Sequence, residues 1–115
     1  MTIEQVDQQI KGGKLEKETL VFILKNILTI QKQATVAINP AAKEAAVSVW
    51  EYVDCLLGLL PEEEERILRT LYVEKRKWTA AEISLHMSRN TIATHRKKAV
   101  QRMLDIANGT MEALA

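Results

Sequence analysis

The sequence predicts an all-α protein built as a helical bundle. Its 115 residues include only two prolines and four glycines, so few positions interrupt a regular element. Leu, Ile, Val and Ala dominate the 47% of residues that are hydrophobic, and only 4% are aromatic, which favours helices over sheets. Helix-start signals recur along the chain, each followed by apolar residues at helical spacing. A chain of this length forms one domain, or one small domain with a helical extension.

The first predicted helix runs from Thr2 to Ile10. Thr2 is a favourable N-cap, and Gln5 stands three residues later, which completes a capping box. Gly12 and Gly13 follow, and glycine commonly ends a helix.

The second predicted helix is long, from Leu15 to about Ile38. Its heptad-like stripe comprises Leu20, Leu24, Ile27, Gln31, Ala34 and Ile38. Other faces of this helix are also apolar, for example at Phe22 and Leu28. Such a helix is either buried on both sides by its own chain or pairs with another subunit. A homodimer through the helix 15–38 and a core helix of a compact bundle are both consistent with the pattern.

Asn39 and Pro40 begin a new helix, because asparagine is a good N-cap and proline suits the first helical position. This helix should extend to about Gly58. Its inward residues are predicted to be Val49, Trp50, Val53, Leu56, Leu57 and Leu60. Cys55, the only cysteine, is expected to be a buried small hydrophobe. Residues 1–58 are therefore interpreted as an N-terminal helical pair that serves packing or oligomerisation.

Pro61 opens the next helix, which should end near Val73 or Glu74. Four consecutive acids, Glu62 to Glu65, occupy its first turn. Negative charge is favourable at the positive end of the helix dipole, so this run is interpreted as capping electrostatics and a solvated face.

The stretch from Trp78 to Leu104 predicts two helices joined by a tight turn. Thr79 and Glu82 form a predicted capping box, with Trp78 and Ile83 as its hydrophobic staple. Ser88 is the second predicted N-cap, with Met87 and Ile92 at the staple spacing. Only residues 85–87 lie between the two elements, and helices joined so closely cross steeply, as in a helix-turn-helix.

The second helix of this pair has two different faces. Ile92, His95, Ala99, Val100 and Met103 form a stripe that should face the core. Arg89, Asn90, Ala93, Thr94 and Lys97 form another, which offers a guanidinium fork, an amide, a hydroxyl and an amine. Side chains of these types read base edges in the major groove and hold phosphates.

The charge distribution indicates a local nucleic-acid site. The whole chain carries a net charge of +1, but residues 75–102 hold eight basic residues against Glu82 alone, which leaves +7 there and −6 elsewhere. The predicted base contacts are Arg89, Asn90, Thr94 and Lys97. The predicted phosphate contacts are Lys75, Arg76, Lys77, Ser88, Arg96, Lys98 and Arg102.

Residues 60–105 resemble the fourth region of bacterial sigma factors. The resemblance rests on Leu60-Pro61-Glu62 through Leu71-Tyr72, on Trp78, and on Ser88-Arg89-Asn90-Thr91-Ile92 with Lys97-Lys98-Ala99-Val100. It is closest to the small sigma-like phage or prophage regulators of the ArpU and RinA type. Glu82 departs from the pattern, since the family usually has a small residue there. The resemblance implies a helix-turn-helix DNA-binding domain over residues 59–107, binding to promoter DNA and contact with RNA polymerase.

Two other functions remain open on the sequence. One is a protein-interaction module that binds RNA polymerase or another regulator. The other is a phage DNA-packaging protein like a small terminase subunit, which also joins a helix-turn-helix to oligomerising helices.

We expect no enzymatic activity, no cofactor and no metal site. The sequence has no glycine-rich phosphate loop and no convergent acid–base set. His86 and His95 lie on different helices without a third ligand nearby; His95 is expected to be a hydrogen-bonded packing residue. We also expect a cytoplasmic protein that does not enter a membrane, since neither a signal sequence nor a long apolar run is evident. Residues 108–115 are predicted to form a frayed tail.

Overall fold

The computed structural model describes residues 1–109, and all regular structure within them is helical, as predicted. The helices are α1 (Ile3–Lys11), α2 (Lys17–Lys25), α3 (Ile27–Val36), α4 (Pro40–Gly58), α5 (Glu62–Leu68), α6 (Trp78–Leu85) and α7 (Arg89–Ala107). A π-helical segment, Arg69–Val73, directly continues α5. In it the Arg69 carbonyl accepts a hydrogen bond from the N–H of Glu74, five residues on.

Three predicted helix starts are confirmed by their cap geometry. The Thr2 hydroxyl accepts from the N–H of Gln5, and the Gln5 side chain accepts from the N–H of Thr2. The Asn39 side chain accepts from the N–H groups of residues 41 and 42 at the start of α4. Ser88 caps α7. Each of these caps depends only on residues within three positions of one another, which is why the sequence reveals them.

The single helix predicted over residues 15–38 is wrong, because it is broken at Asn26. The Asn26 side-chain amide donates to the Phe22 carbonyl at 2.7 Å, and the residue leaves helical conformation with φ −117°. Asparagine competes in this way for backbone groups that a continuous helix would use. α2 and α3 both bury apolar residues in the main core, including Leu24 and Ile30.

Most of the apolar surface of this region is covered by the chain itself. α3 packs extensively on α4, and the short connection at residues 37–39 makes the two antiparallel. Ile38, assigned above to the heptad-like stripe, is 99% exposed because α3 ends at Val36. Leu28 and Val36 are also exposed. The homodimer through residues 15–38 stays a prediction.

Within residues 1–109 the core consists of two clusters. The main cluster joins buried residues of α1–α4 to Leu68 and to the C-terminal half of α7, at Ala99, Met103 and Ile106. It therefore draws on both predicted segments, 1–58 and 59–107. The second cluster joins α5, α6 and the start of α7, with the buried members Ile67, Ala81, Leu85 and Ile92.

Two long-range hydrogen bonds tie the chain's two halves together. The Asn108 side chain accepts from the N–H of Leu15 at 2.7 Å and donates to the Leu15 carbonyl at 2.9 Å. Asn108, where the frayed tail was predicted to begin, is thus bonded to the residues before α2. Residues 110–115 of that tail lie outside the described residues.

Cys55 is exposed, so the prediction that it is buried is wrong. The buried positions of α4 near it are Val53, Leu56 and Leu57. Cys55 follows Val53 by two residues, which is more than half a helical turn, and this places it toward the opposite face.

The acidic run of α5 is also more than a solvated face. Glu62 and Glu63 are exposed in the first turn, as predicted, but Glu64 is only 8% exposed. The Glu64 carboxylate accepts a hydrogen bond from Arg102 at 2.9 Å. A buried carboxylate requires such a partner, so Glu64 links α5 to α7.

Candidate nucleic-acid interface

α6 and α7 are joined by a turn of three residues, 86–88. His86 ends α6 in the left-handed conformation, with φ 55°, and Ser88 begins α7. The Ser88 hydroxyl accepts from the N–H of Thr91 at 3.2 Å and lies 2.9 Å from the Thr91 hydroxyl. Because these two interactions already engage it, the Ser88 hydroxyl acts first as a helix cap.

The predicted capping box at the start of α6 is wrong. α6 begins at Trp78, with Lys77 at the N-cap position and no side-chain capping bond. Ile83 is 72% exposed and cannot form the predicted staple. The reason is helical phase: the buried residues of α6 are Ala81 and Leu85, and Ile83 lies two residues from each, toward the opposite face.

Trp78 and Glu82 instead contact the arginines of α7. The guanidinium of Arg89 lies 5.5 Å from the centre of the Trp78 ring, and that of Arg96 lies 5.6 Å from it. Glu82 Oε1 lies 3.6 Å from Arg89 Nε. The Trp78 ring, half-buried on the second cluster, therefore supports two cations by cation–π attraction. Sequence reasoning assigned Trp78 to the core only and missed this contact, since the two arginines lie on another helix.

The four predicted base-contact residues, Arg89, Asn90, Thr94 and Lys97, are all exposed on α7. Their spacing over two turns puts them on one side of the helix. The Thr94 hydroxyl donates to the Asn90 carbonyl at 3.0 Å, which leaves its oxygen as an acceptor.

The predicted phosphate contacts in the loop before α6 are exposed, but two of them already bind other groups of the protein. These residues are Lys75, Arg76 and Lys77. Lys75 has φ 55°, and its amine donates to the Lys25 carbonyl at the end of α2 at 3.1 Å. Arg76 forms an ion pair with Glu74 at 2.8 Å. Exposed pairs of this kind are weak, so Arg76 can exchange Glu74 for a phosphate at little cost.

Arg102, also predicted to contact phosphate, forms the ion pair with Glu64. The hydrogen bond and the negative charge of Glu64 raise the pKa of Arg102 above its ordinary value. Its guanidinium is half-exposed while the Glu64 side chain is largely buried. We therefore assign Arg102 first to the packing of α5 on α7. Lys98 is exposed one turn earlier and has no ion pair among residues 1–109.

The two histidines have different surroundings, and His86 is exposed in the turn between α6 and α7. His95 is half-buried, and its Nε2 lies 3.8 Å from Glu63 Oε1. Within residues 1–109 no group of three or more His, Cys, Asp or Glu side chains could hold a metal ion.

No helix in the same range is long and apolar enough to cross a membrane.

A groove of about 560 Å³ lies beside the candidate interface, between α2, the π-helical segment and α7. Its cationic lining residues are Lys17, Lys25, Arg96 and Lys97. Sequence reasoning named the two on α7 and missed the two on α2. Their spacing around Val21, at positions i, i+4 and i+8, was the available signal, but only the fold shows that this stripe faces α7.

Comparison with protein-family models, with curated proteins and with solved structures finds no match to this chain.

Proposed function

We propose that the protein is a sequence-specific, DNA-binding transcriptional regulator with a sigma-region-four-like helix-turn-helix. In the proposed complex the start of α7 enters the major groove, and α6 lies across that part of α7. The observation that carries the proposal is the exposed side of α7, where Arg89, Asn90, Thr94 and Lys97 follow one another at helical spacing. In this docking mode the first residues of the second helix contact base edges.

The packing of α6 on α7 supports the proposal. Ile92 is buried against Ala81 and Leu85, so α7 is braced from one side while its polar side faces solvent. Arg89 is also held between the Trp78 ring and Glu82. A side chain held in place before binding loses less conformational freedom on contact with a base.

Electrostatics supports it as well. Residues 75–102 carry +7, and the one acid among them, Glu82, lies beside Arg89. Positive charge concentrated around an exposed helix attracts DNA phosphates and releases their counterions, which makes binding depend on salt.

The test is fluorescence anisotropy of the purified protein with mixed-sequence duplex DNA across a salt series. Five or six phosphate contacts give a slope of log K against log salt of about −5. The variant Arg96→Ala/Lys97→Ala/Lys98→Ala should lose roughly half of that slope. The matched control, Lys14→Ala/Lys32→Ala/Lys43→Ala, removes three exposed lysines outside α6 and α7 and should keep most of it.

Absence of binding by the wild-type protein at low salt would overturn this proposal. A protein-interaction module would then be the better candidate, because Leu28, Val36 and Ile38 are exposed on and after α3. RNA polymerase is the partner that the sigma-factor resemblance implies for it. A stable ring in sedimentation would instead favour the DNA-packaging alternative.

A further inference from the structure

The groove between α2, the π-helical segment and α7, called here the α2–α7 groove, is lined by four cationic residues, two valines, Tyr72 and Gln101. Lys17 and Lys25 contribute to it from α2, and Arg96 and Lys97 from α7. Val21 lies between the two lysines of α2, and Val100 lies one turn after the two cations of α7. The groove has a volume of about 560 Å³. It adjoins the candidate interface, because Lys97 belongs to both.

The two walls of the groove have matching patterns. On α2, Lys17, Val21 and Lys25 are spaced four residues apart and lie on one helix face. On α7, Val100 follows Arg96 and Lys97 by one turn. Each wall thus presents one valine and two cations, and the two walls face each other.

The charge in the groove is not neutralised from within. No acidic residue lines it, and Lys17, Lys25 and Lys97 form no ion pair within residues 1–109. Like charges held together around one groove repel one another, and an anion bound between them relieves that repulsion.

α2 is fixed in this position at both ends. The Asn108 side chain bonds the backbone of Leu15, two residues before α2. At the other end, the Lys75 amine bonds the Lys25 carbonyl. The lysines of α2 are therefore carried by a helix that is anchored to the end of α7 and to the basic loop before α6.

We propose that the α2–α7 groove binds the phosphate backbone of the DNA strand that borders α7, so that Lys17 and Lys25 extend the interface to the N-terminal half. This rests on the proposed function, since the strand is the one beside the major groove that α7 occupies. Lys17 and Lys25 are eight residues apart, or about 12 Å along α2. At one phosphate per 3.4 Å of axis on each strand, that length matches roughly three or four phosphates.

The experiment uses the variant Lys17→Gln/Lys25→Gln in the same salt series. Loss of two phosphate contacts should make the slope of log K against log salt less steep by about 2. Sequence preference should be unchanged, since phosphates carry no sequence information directly. The matched control is Lys32→Gln/Lys43→Gln, which removes two exposed lysines of the same half that lie outside the groove and should keep the wild-type slope.

A variant slope equal to that of wild type, with wild-type binding intact, overturns this inference and leaves the proposed function standing. If wild-type protein does not bind DNA at all, both fall. A thermal melt with inorganic tripolyphosphate separates a third case. If tripolyphosphate raises the melting temperature of wild type but not of Lys17→Gln/Lys25→Gln, while the DNA slope is the same for both, the groove serves a free phosphate-bearing ligand and the assignment to DNA is overturned.

Discussion

Trp78 affects the candidate interface through two neighbours. Its ring lies 5.5 Å from the Arg89 guanidinium and 5.6 Å from that of Arg96, seven residues later on α7. Arg89 is expected to read bases, and Arg96 is expected to hold phosphate. A single aromatic side chain of α6 therefore helps to orient both kinds of contact.

Arg89 is the residue on which sequence preference should depend most. Replacing it with Ala should lower affinity for the preferred DNA site by about 1–3 kcal/mol and relax the preference at one base position. The measurement is competition binding against a site selected from random duplexes and against single-base variants of that site. If Arg89→Ala weakens all sequences equally, Arg89 holds phosphate and does not read bases.

Arg102 and Lys98 lie one turn apart and should behave in opposite ways. Arg102→Ala leaves the buried Glu64 carboxylate without its partner, so the melting temperature should fall while the salt slope of DNA binding changes little. Lys98→Ala should leave the melting temperature unchanged and make the slope less steep by about 1. Thermal melts and anisotropy on both variants test this. A large slope change in Arg102→Ala at full stability would assign Arg102 to phosphate.

Among the secondary-structure elements, α6 and α7 show the difference between a real cap and an apparent one. Ser88 and Thr79 both stand before residues that favour a helix start, so the two positions show the same kind of sequence pattern. Only the Ser88 side chain accepts a hydrogen bond from the N–H at its N3 position. The contact of Trp78 with the second cluster accompanies a start of α6 two residues earlier than the pattern indicates, with the N-cap at Lys77 and not at Thr79.

Ser88→Ala should therefore cost stability, whereas Thr79→Ala should not. Removing the acceptor for the Thr91 N–H should lower the free energy of unfolding by about 1 kcal/mol. Thr79 is exposed and makes no capping bond, so its replacement should stay within about 0.5 kcal/mol of wild type. Urea unfolding of the two variants compares them directly. Equal losses would restore Thr79 as the cap.

Across the whole molecule, the main core joins α1–α4 to the C-terminal half of α7. Ala99, Met103 and Ile106 pack in the same cluster as Val6, and Asn108 bonds to Leu15. The main core and the hydrogen bonds of Asn108 therefore both cross the predicted boundary near residue 58. This shared core also positions the lysines of α2 beside α7.

The chain should unfold in one cooperative transition. Trp50 lies against the main cluster and Trp78 against the second, so each reports on one of them. In Trp78→Phe and in Trp50→Phe, the fluorescence midpoint in urea should coincide with the far-UV circular dichroism midpoint of the same variant. A Trp78 transition that precedes the loss of helix in Trp50→Phe would show that residues 59–107 unfold as a separate domain.

The sequence by itself determined the all-helical class and the helix starts at Thr2, Asn39 and Ser88. These features depend on composition and on side chains within three residues of one another. Most of the core stripe of α7 was also predictable, because 3.6-residue periodicity is a local property: Ile92, Ala99 and Met103 are buried.

Only the tertiary structure decided the start of α6 at Trp78, the burial of Glu64, the exposure of Cys55 and the position of Lys17 and Lys25 beside α7. The exposure of Cys55 depends on which face of α4 the core covers. The other three involve partners on other helices, as Glu64 and Arg102 are 38 residues apart. Local propensity and spacing cannot specify such contacts, because the free energy that selects them arises only when the helices pack.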